Sequence, residues 1–247
     1  MEPLFYDINR TYEENYRLGP VGTAALKKPL LKKIKPKFKF LGFPVNMPFG
    51  IPAGPLFNSV FVKAALDFGF SVLTYKTARS NYYPCHPFPN IFYIKTIGDL
   101  RLEKNRKVEV ISKPGLKISI ANSFGVPSLG PKIWQEDVKK TLSYIKYGQL
   151  LILAFMGTAK PNQTQRELID DFNLSAKMSK ETKAKVLEVN LSCPNIGNEG
   201  LVCYNLEVTE KICKTIRNAI GNIPLILKVG FYKNDKDIEK LAKIANE

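Results

Sequence analysis

The sequence has little of what several classes of protein require. Its single histidine, His86, disfavours both a Ser–His–Asp triad and a three-histidine metal site. Its four cysteines form no Cys-x-x-Cys pair, so we predict neither a zinc site nor a disulfide framework, and no bound metal. The glycine-rich motifs that hold nucleoside triphosphates and dinucleotides are also absent, which disfavours enzymes of those types.

Long apolar runs are missing as well. None reaches the length of a membrane span, and residues 1–7 lack the basic and then apolar layout of a signal peptide. We therefore expect a cytoplasmic protein with no membrane partner. At 247 residues, with 45% hydrophobic and 24% charged residues, the chain is long enough to bury the core of one large domain.

Acidic residues are outnumbered by basic ones. There are 37 Lys and Arg against 22 Asp and Glu, a formal net charge of +15. Such an excess can attract nucleic acid or an anionic membrane, and it also favours a phosphate-bearing cofactor or an anionic substrate. Much of it lies at 27–39, where Pro29 and Pro36 interrupt any helix. We interpret this segment as a solvated lysine-rich surface and predict no nucleic-acid partner.

Short apolar runs alternate with segments of helical periodicity, which is typical of a parallel α/β architecture. We interpret residues 1–45 as a polar lead-in that ends in a short ribbon, and residues 46–247 as one α/β domain. The predicted strands are 48–53, 71–76, 150–155, 186–191 and 224–229. The predicted helices are 60–68, 135–147, 164–178, 208–219 and 235–246. Small antiparallel pieces are expected at 92–94 and 108–111.

Polar or small residues recur at the carboxyl ends of the predicted strands. They are Ala53, Gly54, Lys76, Asn190 and Lys228. In a (β/α)₈ barrel that end carries the active site, and in an open doubly wound sheet ligands bind at the same edge. The pattern therefore predicts where the site lies without separating the two folds.

The most informative segment is Asn-Leu-Ser-Cys-Pro-Asn at 190–195. Asn190 and Asn195 offer amide donors and acceptors suited to the edge of a pyrimidine ring. The Cys193 thiol can act as a nucleophile or as a general acid or base. The alternative is an ordinary Asn-Pro-Asn turn with an incidental cysteine.

Two further features are ambiguous on local grounds. Lys76 and Lys228 end otherwise apolar strands, so each either contacts a ligand or extends outward into solvent. Having two such lysines on one face favours the ligand. The 120–128 segment is too rich in turn-forming residues for a core strand, and it either lies over a flat ligand or is an ordinary turn.

Taken in order, these segments resemble the dihydroorotate dehydrogenases, from about Leu41 to the C-terminus. Residues 190–195 are similar to the catalytic loop of that family, and 75–77 to the lysine segment after its second strand. Residues 86–90 resemble its Asn-Pro-x-Pro-Arg stretch, and 122–127 its Asn-Ser-Met-Gly-Leu-Pro loop. The resemblance implies a TIM (β/α)₈-type barrel of which about five of eight units are present.

The resemblance also implies a reaction, the FMN-dependent oxidation of dihydroorotate to orotate in de novo pyrimidine biosynthesis. Cys193 would be the base that removes the C5 proton while hydride passes from C6 to the flavin. The residues implied at the substrate are Lys76, Asn122, Phe124, Gly125, Val126, Asn190 and Asn195. The residues implied at the FMN are Ala53, Gly54, Lys76, Thr77, Asn122, Asn190 and Lys228.

A cysteine in the base position resembles the class 1 enzymes of the family. These divide into fumarate-using homodimers and forms paired with an iron–sulfur flavoprotein that uses NAD. The lead-in is longer than class 1 members usually carry, and the sequence ends before the segments expected to hold the FMN phosphate. We therefore expect a truncated or split product, with a homodimer or a second polypeptide completing the barrel and weak FMN binding by this chain alone.

Three other interpretations remain open. A tRNA-dihydrouridine synthase is also an FMN barrel with a catalytic cysteine, although its loop typically has Gly-Cys-Pro where this chain has Ser192-Cys193-Pro194. A dihydropyrimidine dehydrogenase-like enzyme would be distinguished by uracil turnover. An inactive barrel remnant could serve as a binding or assembly piece.

Overall fold

The computed structural model of the chain describes residues 5–22, 35–98, 107–113, 118–192 and 201–246. The helices are α1 (Tyr12–Leu18), α2 (Ser59–Asp67), α3 (Pro131–Leu142), α4 (Gln165–Glu181), α5 (Leu206–Ile220) and α6 (Asp235–Asn246). The strands are β1 (Phe38–Phe40), β2 (Phe43–Val45), β3 (Gly50–Ile51), β4 (Val72–Ala78), β5 (Ile91–Ile94), β6 (Val110–Ile111), β7 (Ile120–Asn122), β8 (Leu150–Phe155), β9 (Val186–Asn190) and β10 (Leu225–Lys228). Within the described ranges, no helix is both long enough and apolar enough to cross a membrane.

Five strands form one parallel sheet in the order β10-β9-β8-β4-β3. They are the five strands predicted from the sequence, and the prediction of a parallel α/β architecture is confirmed. Parallel neighbours need crossover connections, which helices α2 to α5 supply. Since β3 and β10 lie at the two edges, the strands that the structure describes do not close into a barrel.

One side of this sheet, the outer face, packs against the helices. On β8 and β9 it consists of Leu151, Leu153, Phe155, Leu187 and Val189, each at most 1% exposed. These side chains share a single apolar cluster with buried residues of α2, α3, α4 and α5. Because side chains alternate along a strand, the residues between them belong to the opposite side.

The opposite side, the inner face, changes character along the strands. Near the strand starts it carries a small apolar cluster of Val45, Leu150, Ile152 and Val186, against which the β1–β2 hairpin packs. Nearer the strand ends it carries Lys76, Ala154, Glu188, Asn190 and Lys228. Apolar residues therefore close one end of the inner face, and mostly polar residues occupy the other.

The segment of the chain that connects β4 to α3 forms a small antiparallel sheet, with strand order β6-β5-β7. Strands β5 and β6 confirm the two antiparallel pieces expected from the sequence. The third strand, β7, corrects the expectation that 120–128 is a loop throughout, because Ile120–Asn122 pairs with β5. All three of its residues are exposed, so no alternation of buried and exposed positions marked it as a strand.

Two helices also differ from the predictions. Helix α3 begins at Pro131 rather than 135 and ends at Leu142 rather than 147. Proline suits the first helical turn because its missing N–H is not needed there, so Pro131 was a start signal that went unused. Helix α1 lies inside the predicted lead-in, where Thr11 and Glu14 form a reciprocal capping box.

Candidate active site at the carboxyl ends of the strands

The inner face ends in charged and amide side chains from three strands. Asn190 and Lys228 are the last residues of β9 and β10, and they are partners in the strand register. Glu188 lies two residues before Asn190, on the same face of β9. Lys76 lies on β4, which is separated from β9 by β8 alone. Because the strands are parallel, these groups gather at one edge of the sheet.

Lys76 is buried although its side chain is charged. It is 8% exposed, and its Nζ donates a hydrogen bond to the carbonyl oxygen of Gly54 at 3.4 Å. The same nitrogen lies 5.4 Å from the ring centroid of Phe124 and 5.6 Å from that of Phe57, within the range of a cation–π attraction. The side chain therefore points inward rather than into solvent. It brings together three segments, at Gly54, Lys76 and Phe124, that were assigned to the site separately.

A buried arginine holds the loop that contains Phe124. Arg79, 3% exposed, donates from Nε to the carbonyl of Val126 at 2.9 Å and from Nη2 to that of Gly125 at 3.2 Å. Its Nη1 donates to Thr158 Oγ1 at 3.1 Å, just beyond β8. Val126 has a φ of 54°, which is strained for a β-branched residue and persists only where the surroundings fix it. Sequence reasoning missed Arg79, although a basic residue directly after a buried strand was a usable signal.

The other predicted residues lie around this centre. Thr77 and Ala53 are buried at 4%, and Asn122 is exposed at the end of β7, two residues before Phe124. Gly54 is exposed, and a Cβ built on it would meet no described atom within 4 Å. Gly54 does not have a positive φ either, so neither packing nor backbone conformation within the described chain requires glycine there.

Cys193 and Asn195 lie outside the described residues, so their roles stay predictions. The residues that lead to them are described. Asn190 is 4% exposed, and its Oδ1 accepts hydrogen bonds from the backbone N–H of Ser192 at 3.1 Å and from its hydroxyl at 3.2 Å. The Asn190 side chain therefore shapes the turn by which the chain leaves β9.

Glu188 is a buried acid that was not singled out from the sequence. It is 8% exposed on the inner face, with Ala154 and Ile226 as its register neighbours. Burial raises the pKa of its carboxyl above the ordinary value, and the charge of Lys228 opposes that effect. Within the described chain its Oε1 has no hydrogen-bond partner. A glutamate flanked by apolar residues within a buried strand was the signal that could have found it.

Burial favours the protonated form of Cys85, a cysteine near Lys76. Cys85 is partly buried, and removal from water raises its pKa to about 11, although the charge of Lys76 acts in the opposite direction. Since the thiolate is the reactive form of cysteine, this shift disfavours reaction at Cys85 at neutral pH. The two other described cysteines, Cys203 and Cys213, are buried.

The N-terminal segment packs over the same centre. Tyr6 and Tyr12 form edge-on or tilted ring pairs with Phe57 and Phe124, with centroids 4.9 to 5.7 Å apart. Phe124 is thereby 9% exposed. The sequence indicated no such contact, because these aromatic residues lie far apart along the chain. The domain boundary predicted at residue 45 stays a prediction.

Comparison with known proteins assigns the family. A family model described as dihydroorotate dehydrogenase matches residues 35–247. The chain belongs to the dihydroorotate dehydrogenase family. This match confirms the recognition of the family from its ordered motifs. Enzymes of this family are flavin-dependent oxidoreductases in general.

Individual dihydroorotate dehydrogenases are similar to this chain. That of Dictyostelium discoideum is 34% identical, in a match that covers 97% of this chain and 66% of that protein. The dihydroorotate dehydrogenase (fumarate) of Trypanosoma brucei brucei is 26% identical over 133 residues, which cover 54% of this chain and 40% of that protein. The chain thus spans just under two thirds of the length of the Dictyostelium relative.

A solved structure supports the fold. The crystal structure of ligand-free DHODH from Eimeria tenella matches with a TM-score of 0.64 at 18% identity, covering 87% of this chain and 60% of that chain. At that identity the likeness bears on the fold alone. Together with the family match, it confirms the predicted TIM-type barrel, of which the described residues form five strands.

Proposed function

We propose that the protein oxidises dihydroorotate to orotate with FMN, as a cytoplasmic step of de novo pyrimidine biosynthesis. The observation that carries this proposal is the meeting of Gly54, Phe124 and the buried Nζ of Lys76 at the carboxyl ends of the strands. Membership of the dihydroorotate dehydrogenase family supports the reaction, and the inner face offers the place for it.

The described residues fit a flat anionic cofactor on the inner face. The open space above Gly54 allows a ring to approach the backbone closely. Ala154, which lies between Lys76 and Glu188 on the inner face, is fully buried and has a small side chain. We propose that Lys228 lies against the pyrimidine edge of the flavin and that Lys76 touches flavin and substrate. Ala53, Thr77, Asn122 and Asn190 complete the proposed cofactor contacts.

The chemistry that FMN supplies when bound is acceptance of the hydride that leaves C6 of dihydroorotate. We propose that the Cys193 thiolate removes the proton from C5, and that Asn122, Asn190 and Asn195 hold the ring and carboxylate of the substrate. Lys76 is desolvated beside Phe124, so its attraction for an anionic substrate is little screened by water and salt. Gly125 and Val126 border the same position, and Arg79 holds them there.

The electron acceptor and the assembly are part of the same proposal. The word fumarate stands in the names of similar dihydroorotate dehydrogenases from Trypanosoma brucei brucei and Lactococcus lactis, which supports fumarate as the oxidant. A strand edge such as that of β10 can pair with another chain, which supports a homodimer or a second polypeptide as partner.

The test measures orotate formation by the purified protein, given dihydroorotate, FMN and fumarate. Lys76→Met is expected to lower kcat/KM by about 10²-fold, because it removes a desolvated charge from the reacting position. Lys63→Met is the matched control, since Lys63 is exposed on α2 and pairs with Asp67 at 2.6 Å. Turnover of uracil in place of dihydroorotate, or reduction of uridine in tRNA, would contradict the proposal.

A further inference from the structure

We propose that Glu188 is a positioning residue of this site, whose carboxylate holds the Lys228 ammonium on the inner face. The inference rests on the proposed function, because Lys228 is the residue assigned there to the flavin. It gives a role to Glu188, a buried acid that takes no part in the proposed reaction.

Glu188 is placed to reach Lys228. The register pairs Glu188 with Ile226 and Asn190 with Lys228. Lys228 therefore lies two residues beyond the partner of Glu188, on the same face of the sheet. With about 3.3 Å per residue along a strand and about 4.8 Å between strands, the Cα atoms of Glu188 and Lys228 are about 8 Å apart. Extended glutamate and lysine side chains together span that separation.

Competing charges on this face are few. The charged side chains that the described strands of the sheet present there are Lys76, Glu188 and Lys228, because β8 contributes Leu150, Ile152 and Ala154. Lys76 is separated from Glu188 by the width of β8, and its Nζ donates to Gly54. Among the cations on the described strands, Lys228 is therefore the one placed to meet Oε1 of Glu188, which has no hydrogen-bond partner in the described part of the chain.

Keeping a carboxylate at this position lowers stability. Burial raises the pKa of Glu188 in the folded protein above the unfolded value of about 4.3. Below the unfolded pKa, Glu188 is protonated in both states and costs the folded protein no stability. As the pH rises through the folded pKa, the wild type loses stability relative to a variant that is neutral at this position. A buried group that carries such a penalty is expected at a functional site rather than in a purely structural one.

The first measurement needs no flavin. The acylation rate of each lysine by acetic anhydride is followed by mass spectrometry in wild type, in Glu188→Gln and in Glu207→Gln. Glu207 is the matched control, an exposed glutamate that pairs with Lys211 on α5 at 2.6 Å. Lys228 is expected to react about two- to fivefold faster in Glu188→Gln, the size of one partly screened ion pair, and at the wild-type rate in Glu207→Gln. Equal Lys228 rates in wild type and Glu188→Gln would overturn the proposal.

Thermal unfolding across pH adds a second arm. Glu188→Gln is expected to match wild type near pH 4 and to unfold about 2–4 °C higher near pH 8, whereas Glu207→Gln shows no such gain. A Glu188→Gln protein that unfolds below wild type at pH 8 would assign Glu188 a structural role and overturn the inference.

A third arm separates this inference from the proposed function. If FMN binding is measured by flavin fluorescence, Glu188→Gln and Lys228→Gln are expected to weaken it equally, and the double variant no further, because both act through one contact. Weakening by Lys228→Gln alone would overturn the positioning role. Wild type that forms no orotate, yet shows the Lys228 acylation difference, would overturn the proposed function and leave the Glu188–Lys228 pair standing.

Discussion

Two acidic residues, partly buried Asp137 behind the outer face and buried Glu188 on the inner face, differ in their hydrogen bonds. Behind the outer face, the carboxylate of Asp137 on α3 accepts hydrogen bonds from the Ser59 N–H and hydroxyl, both at 2.6 Å, and from the Tyr75 hydroxyl at 2.7 Å. On the inner face, Oε1 of Glu188 has no such partner within the described residues. The carboxylate of Asp137 therefore has its partners within the fold, whereas the unpaired Oε1 of Glu188 calls for a functional explanation.

The same division runs along individual strands. On β9, Leu187 and Val189 are fully buried against the helices, while Glu188 and Asn190 between and after them face the other way. Residues adjacent in sequence thus contribute to different properties, one set to the free energy of unfolding and the other to the site. Substitutions on the outer face should therefore change mainly the free energy of unfolding. Substitutions on the inner face should change mainly activity.

The largest expected effect is on the inner side. Cys193→Ala should lower kcat for orotate formation by about 10²- to 10⁴-fold, because it removes the proposed base, and should leave the unfolding temperature near that of wild type. Both quantities are measured on the same preparations. Cys85→Ala is the matched control and should retain activity, because the Cys85 thiol stays protonated. Equal losses from the two substitutions would break the proposed assignment of the base.

The next effect belongs to the outer face. Leu153→Ala should lower the free energy of unfolding by about 2–5 kcal/mol, because Leu153 is fully buried between the sheet and the helices and its loss leaves a cavity. Urea denaturation measures the change. Leu174→Ala on α4 is the control, since Leu174 is 43% exposed and should change stability far less. If both variants lost the same amount, the outer face would not be the main source of stability.

Much of the outer face could be predicted from the sequence, because burial on both sides makes strands such as β8 continuous apolar runs bounded by helices. The motifs likewise singled out Lys76 and Asn190, whose roles at the site stay predictions. What escaped prediction depended on contacts between distant segments. Tyr12 meets Phe124 across more than a hundred residues, and Arg79 meets the 124–126 loop only in three dimensions. No periodicity records such contacts.

A sharper test of the boundary between the faces is the loop held by Arg79. Arg79→Met should cost about 2–3 kcal/mol, because it removes charge-assisted hydrogen bonds to the carbonyls of Gly125 and Val126 and leaves them buried. Amide hydrogen exchange across 122–128 should quicken, and KM for dihydroorotate should rise. Arg217→Met is the matched control, because Arg217 also donates to two carbonyls but is exposed. Unchanged exchange in Arg79→Met would mean that the loop holds its strained conformation without the arginine.

The smallest effects come from two matched helix caps. Thr11 caps α1 with Glu14, and Thr164 caps α4 with Glu167, each in a reciprocal capping box. Replacing either threonine by alanine should cost about 1 kcal/mol of helix stability. Only Thr11→Ala should also raise KM for dihydroorotate, because α1 carries Tyr12, which packs on Phe124, whereas α4 lies behind the outer face. Thermal unfolding and steady-state kinetics on both variants decide this. A KM that rises equally in Thr164→Ala would mean that disturbance of the outer face reaches the site, so that the two faces are coupled through the sheet.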